Sequence, residues 1–141
     1  MRLVVAFAAI AVVLLAGCAG TAAKSGPTLA GTSWKLDRWS DANVDPRGFT
    51  ITATFADGRV AGKAAVNNYF AAYTEGPAGR FTVSQAGSTM MAGPAAAMQA
   101  EKIYLALLVQ AKAYSRTGTE LTLADAEGNL LLVFAPVPAM P

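Results

Sequence analysis

Phe49-Thr50-Ile51-Thr52-Ala53-Thr54-Phe55, with Asp57-Gly58 close behind it, is the stretch on which the fold turns. Phe49, Ile51, Ala53 and Phe55 fall on one side of an extended chain, and Thr50, Thr52 and Thr54 on the other. Successive side chains of a strand point to opposite faces, so this alternation specifies a strand with one face buried. Asp-Gly readily adopts the two positive φ values of a tight hairpin turn. The chain is therefore expected to fold back through Arg59 and Val60.

The pattern extends both ways. Upstream, Trp34 and Leu36 alternate with Ser33, Lys35 and Asp37, and a loop follows from Trp39 to Gly48. Downstream, Asn67 to Tyr73 is an aromatic-rich strand, Pro77-Ala78-Gly79 a turn, and Phe81-Thr82-Val83 alternates again. At Gly93-Pro94 the period changes from two to that of a helix. The spacing predicts a helix over about 94–112, with Gly93 at the N-cap and Pro94 in the first turn. Ala97, Ala100, Tyr104, Leu107, Leu108 and Ala111 form its inner face, and Gln99, Lys102 and Gln110 its outer one. Tyr114 then precedes a Thr117-Gly118 turn, and Leu121-Thr122-Leu123 leads to a turn at Asp125 to Asn129. Leu130 to Phe134 is continuously apolar, as in a strand buried on both faces. Short antiparallel strands with one amphipathic helix define an α+β domain that is mainly β.

Composition narrows the function. The chain has 141 residues, 11 Lys plus Arg, 9 Asp plus Glu and no His. A net charge of +2 is not the basic footprint of a nucleic-acid binder. Without His there is no Ser-His-Asp or Cys-His catalysis and no His-ligated zinc, so no enzyme, metal or cofactor is expected. The one Cys, Cys18, follows a 13-residue apolar run from Leu3 to Leu15 with Arg2 before it. That run is too short to span a bilayer and has the length of a signal-peptide core. Leu15-Ala16-Gly17-Cys18 resembles the bacterial lipobox, whose Cys is acylated and becomes the new N-terminus. An ordinary secretory signal is the alternative. The resemblance implies a signal peptide over 1–17, then lipidated Cys18 and a tether over 18–28 of small, Gly and Pro residues. It further implies a cell-envelope location. Ala19 rather than Asp after the Cys points to the outer membrane, facing the periplasm. A monomer is expected, with the membrane and an envelope protein as its partners.

The order of motifs resembles the META-domain (HslJ-like) family. Gly31-Thr32-Ser33-Trp34-Lys35-Leu36 is similar to its opening strand, and Phe55-Ala56-Asp57-Gly58-Arg59-Val60-Ala61-Gly62 to its first hairpin. Asn67 to Tyr73 resembles its Cys-Asn-x-x-x-Gly-x-Tyr segment, with Ala71 in place of the Gly. Ser88-Thr89-Met90-Met91-Ala92 resembles the stretch before its helix, which Glu101, Leu105, Leu107 and Leu108 continue. Leu121-Thr122-Leu123 and Gly128-Asn129-Leu130-Leu131 match its last hairpin. The resemblance covers residues 29–135 and implies a small antiparallel barrel-like sheet with one helix, often exported and lipid-anchored. It leaves 136–141 as a Pro-rich tail. The family is linked to stress phenotypes and brings no general enzymatic activity. Val66 and Gly93 stand where the family often has Cys; if those cysteines pair, Val66 and Gly93 are spatial neighbours.

Asn67, Asn68, Tyr69 and Tyr73 form the densest polar-aromatic cluster and are the candidate binding residues, with Asn67, Tyr69, Ala71 and Tyr73 on one strand face. The competing reading is a Tyr-lined core edge with Asn67 satisfying buried backbone groups. The exposed Thr50, Thr52 and Thr54 are a second contact face. A carrier of a small apolar ligand, lined by Trp34, Phe55, Tyr69 and Phe81, is the alternative function. Asp41, Asn43 and Asp45 alternate as in a calcium loop, but Pro46 and Thr52 break that motif and favour a surface turn. Asp57, Asp125 and Glu127 beside Gly58 and Gly128 read as turn residues. Met90, Met91 and Met98 read as adaptable core packing rather than a Cu(I) site. Trp39 is either an exposed contact or a lid over the barrel end.

Overall fold

A ring of eight antiparallel strands follows from this alternation. The structure is a computed structural model that describes residues 27–137; the expected signal peptide, Cys18, the first part of the expected tether and residues 138–141 lie outside the described residues. The strands are β1 (Thr32–Trp39), β2 (Thr52–Ala56), β3 (Arg59–Ala64), β4 (Asn67–Gly76), β5 (Arg80–Val83), β6 (Gly87–Ser88), β7 (Ala113–Arg116), β8 (Leu121–Ala124) and β9 (Leu130–Pro136). The single α-helix, α1, spans Ala95–Gln110. Hydrogen bonding runs β3-β2-β1-β9-β8-β7-β5-β4, and β3 pairs again with β4, which closes the barrel; β6 is a short addition beside β4.

The alternating strand buries Ile51, Ala53 and Phe55 as expected. Phe49 is only half-buried, and regular pairing starts at Thr52, with Ile51 making an isolated bridge to Ala64. The ladder is broken there because side chains take its groups, the Thr52 carbonyl oxygen accepting from the Tyr69 hydroxyl. The Thr52 hydroxyl accepts from Lys63 N, and a Cβ on Gly62 would sit 2.2 Å from the Thr52 carbonyl oxygen. Only Gly fits that contact. Asp57 and Gly58 have φ of 50° and 72°, the expected hairpin turn. The β3–β4 turn is less regular, with Ala65 at φ 72°.

Leu131 to Phe134 are all buried, as their unbroken apolar run predicts. β9 continues beyond Phe134 because Pro136 lies opposite Trp34 and Val137 N donates to Ser33 O, so the tail begins later than expected. Helix α1 begins at Ala95, with Pro94 at the cap rather than Gly93. Pro94 at ψ 140° is still extended, which delays the first turn by one residue. The helix ends at Gln110, where Ala111 N bonds Leu108 O. Its buried residues are Ala100, Glu101, Tyr104 and Leu108, so a carboxylate sits on the inner stripe while Ala97 and Leu107 lie at its margin. Val66 and Gly93 are neighbours: a Cβ on Gly93 would lie 3.4 Å from the Val66 Cβ. Ala71, in the family's Gly position, is an ordinary inward residue opposite Val60.

Candidate functional site

Strand β4 sends Asn67, Tyr69, Ala71 and Tyr73 into the barrel and leaves Asn68, Phe70, Ala72 and Thr74 outside. The four candidate binding residues are therefore divided. Asn68 is exposed, and the other three are buried.

Asn67 and Glu101 are the buried polar residues of the described chain, and they are bonded to each other. Glu101 Oε2 accepts from Asn67 N at 2.7 Å and Val66 N at 3.2 Å, while Oε1 accepts from Asn67 Nδ2 at 2.9 Å. Asn67 Nδ2 also donates to Met91 O, and its Oδ1 accepts from Met91 N at 2.7 Å and the Thr89 hydroxyl at 2.8 Å. An amide offers two donors and two acceptor positions, and all four are filled. The cluster is a clasp that joins β4, α1 and the segment before α1. It satisfies buried backbone groups, which is the competing reading of Asn67. Sequence reasoning assigned Glu101 no role. The available signal was a carboxylate spaced with Tyr104 and Leu108 on an apolar stripe, since a buried charge requires partners.

Further in, the Tyr69 hydroxyl donates to Thr52 O at 2.8 Å and lies 2.6 Å from the Tyr104 hydroxyl. Burial pushes both phenols well above their ordinary pKa. At the opposite end of β4, Tyr73 stands edge-on to Phe55 at 5.0 Å, and Phe81 lies 6.2 Å from Phe55 and 6.1 Å from Tyr114. The side chains expected to line a ligand cavity thus meet other side chains. Trp34 donates through Nε1 to the Thr32 hydroxyl and lies under the Arg116 guanidinium.

The remaining candidates fall into place locally. Asp41 Oδ1 accepts from Asn43 N and Asp45 Oδ1 from Arg47 N, so both carboxylates organise their own loop. Trp39 is buried beneath that loop, donating to Val44 O at 2.8 Å. Asp125 accepts from Glu127 N, Asn129 N and Asn129 Nδ2; the Asn129 side-chain bond, above all, holds its carboxyl below the usual range. Asp57 lies at the exposed hairpin tip. The expectation of core packing for the methionines is corrected. Met90 is 98% exposed, Met91 54% and Met98 38%. The clasp explains this: Asn67 grips the Met91 backbone by both its N–H and its C=O, which leaves the segment running across the outside of the barrel.

Pro27 and Thr28, the last two residues of the expected tether, are fastened to the barrel. Thr28 Oγ1 and Leu29 N both donate to the Glu75 carboxylate, Arg116 donates to Thr28 O, and the Tyr114 hydroxyl donates to Pro27 O. Among the described residues no helix is long and apolar enough to cross a membrane.

A closed eight-stranded barrel capped by one helix, with a polar clasp at one mouth, defines a small β-barrel domain of compact, internally bonded type. The family model for the META domain matches residues 27–137, and the chain belongs to that family. Its fold is similar to an NMR structure of a protein from Burkholderia xenovorans, at a TM-score of 0.64 and 25% identity, covering 79% of this chain and 85% of that one. A second NMR structure is similar at a TM-score of 0.54 and 18% identity, over 77% of this chain and 91% of the other. No curated protein matches the chain.

Proposed function

We propose that the chain is an envelope lipoprotein whose META domain binds or stabilises an envelope component without catalysing a reaction. Removal of residues 1–17 leaves Cys18 to carry the lipid, and the domain faces the periplasm from the outer membrane. Two or three acyl chains on one N-terminus anchor stably, since each buried methylene adds about 0.8 kcal/mol. The observation that carries a binding role is where the polar groups point. Asn67, Glu101, Tyr69 and Tyr104 have partners inside the barrel, so recognition falls to the outer surface, where Thr50, Thr54, Asn68 and Phe70 are presented.

The test is in-cell photo-crosslinking from Thr54, with membrane fractionation of wild type and Cys18→Ala. The expected result is a wild-type protein in the outer-membrane fraction, a Cys18→Ala protein released from it, and a crosslink to an envelope component. A wild-type protein that stays soluble overturns the anchor. A small apolar molecule retained in native mass spectrometry, with no crosslink, replaces this reading with that of a carrier.

A further inference from the structure

We propose that the outer face of β2, β3 and β4, together with residues 84–98 across its end, lies flat on the anionic surface of the bilayer that holds the chain's own lipid. This rests on the anchor reading above and names the component that the outer surface meets.

Three observations converge. The first is apolar exposure. Phe70 is 49% exposed, and with Met90, Met91 and Met98 it accounts for four of the six large apolar side chains exposed among the described residues. Phe70, Met91 and the adjoining Met90 belong to one region, and Met98 follows on α1. The Phe70 ring covers Gly87, where an added Cβ would sit 2.8 Å from it, and Asn67 holds the Met91 backbone beside the same strand. Grouped exposed apolar side chains mark a contact surface.

The second is charge. From Phe81 to Ala100 there is no charged residue. Across β2, β3, residues 67–74 and 84–100 the charged side chains are Arg59 and Lys63, both exposed; Asp57 lies in the turn between β2 and β3, and Glu75 near the end of β4. The Arg59 guanidinium lies over the Phe70 ring at 5.4 Å. Six of the nine carboxylates, those of Asp37, Asp41, Asp45, Glu120, Asp125 and Glu127, lie instead on β1 and the loop after it or on the turns flanking β8. A face with cations and apolar side chains, whose nearest exposed carboxylates stand at its margin, Asp57 at the β2–β3 tip and Glu75 at the far end of β4 bonded to Thr28 and Leu29, complements lipid phosphates above an acyl layer.

The third is reach. Pro27 is fastened at the Glu75 end of β4, and Met90 and Met91 sit at its Asn67 end. The nine steps from Cys18 to Pro27 span at most about 30 Å when extended, and Asn67 to Glu75 is about 26 Å of strand. The tether is thus long enough for the barrel to lie on its side against the membrane. A protein partner in free solution needs about 800 Å² per side. A tethered surface needs far less, because the anchor already holds it at high effective concentration.

The test uses the full lipidated chain with Met90→Cys carrying a thiol-reactive fluorophore, and Glu127→Cys as the reference. Cys18 is blocked by its lipid, and both labelled positions are exposed, so folding is preserved. In vesicles of phosphatidylethanolamine with phosphatidylglycerol, the Met90 probe is expected to lose most of its quenching by aqueous iodide while the Glu127 probe keeps it. Arg59→Gln and Lys63→Gln are each expected to reduce the docked population ratio about fivefold. Equal quenching at both positions in a chain that floats with the vesicles overturns the docking and leaves the anchor standing. A chain that does not float overturns both. Protection of Met90 in detergent that rises with protein concentration assigns the face to a second copy and overturns the bilayer.

Discussion

The two ends of strand β4 are held by different physics. At the Asn67 end the inward side chains are polar, and each donor faces a named acceptor. At the Tyr73 end they are rings, with Phe55, Tyr73, Phe81 and Tyr114 meeting mostly edge to face. Aromatic packing rewards area and accepts a range of angles. Buried hydrogen bonds reward completeness, because an orphaned donor or acceptor costs more than the bond contributes. The polar end therefore specifies one arrangement of strand, helix and the 89–91 segment, whereas the aromatic end supplies bulk stability.

The largest effect is expected at the aromatic end. Phe81→Ala removes a fully buried ring that touches three others and is expected to destabilise the domain by about 3–5 kcal/mol. A denaturant midpoint close to wild type would show that the cluster collapses onto the gap, and would reverse the ranking of the two ends.

Next is a cross-link beside the clasp. Val66→Cys with Gly93→Cys, in a Cys18→Ser background, places two Cβ atoms about as far apart as the 3.4 Å seen between Val66 and the Cβ position on Gly93. That is close to disulfide spacing, and closing a loop of this length stabilises by about 3.5 kcal/mol. A thermal midpoint that rises on oxidation and falls back with reductant checks it.

Asn67→Leu keeps the size but strands Met91 N–H, the Thr89 hydroxyl and part of Glu101. The expected loss is about 2–3 kcal/mol. The sharper sign is local: proteolytic cleavage or hydrogen exchange at 89–91 should increase more than it does in Phe81→Ala.

Alkaline titration separates the ends without mutation. All four tyrosines have raised pKa values, mainly through burial. A phenol whose folded pKa lies above its unfolded value, about 10, stabilises fully below that pH and loses the contribution as pH rises through the folded value. Tyrosinate absorbance should therefore lag free tyrosine above pH 10. Tyr73 and Tyr114 should ionise in the folded state, and Tyr69 and Tyr104 only as the barrel opens. Four tyrosines titrating together near pH 10 would contradict the buried hydroxyl pair.

Much of the barrel was legible in residue order. The alternation at Ile51 to Phe55, the Asp57-Gly58 turn and the apolar run at Leu131 to Phe134 each report a local rule that tertiary context did not override. The site was less legible. Glu101 escaped notice because helical periodicity is counted on apolar residues, and its partners, Val66 and Asn67, are more than thirty positions away. The methionines misled for a related reason. Hydrophobicity indicates that a side chain can be buried, but the side of the barrel wall on which it falls is decided by the long-range grip of Asn67 on Met91. β6, two residues long, pairs with Tyr69 and Phe70 just before that grip and has no pattern of its own.

The smallest effect tests whether the clasp is held against strain. Ala65, in the turn beside it, has φ 72°, a left-handed conformation that costs a residue with a Cβ about 1–2 kcal/mol. Ala65 N is tied to Thr50 O, and Glu101 holds the next two backbone N–H groups, so the turn cannot relax while these bonds persist. Ala65→Gly removes the clash and is expected to stabilise by up to about 1 kcal/mol, since part of the gain is offset by greater unfolded-state entropy. In Asn67→Leu the turn is freer to adopt another conformation, so the same substitution should gain less there. A double-mutant cycle reads this coupling directly. Equal gains in both backgrounds would mean that the turn geometry is set by the strands alone, and that the polar end imposes no strain on its neighbours.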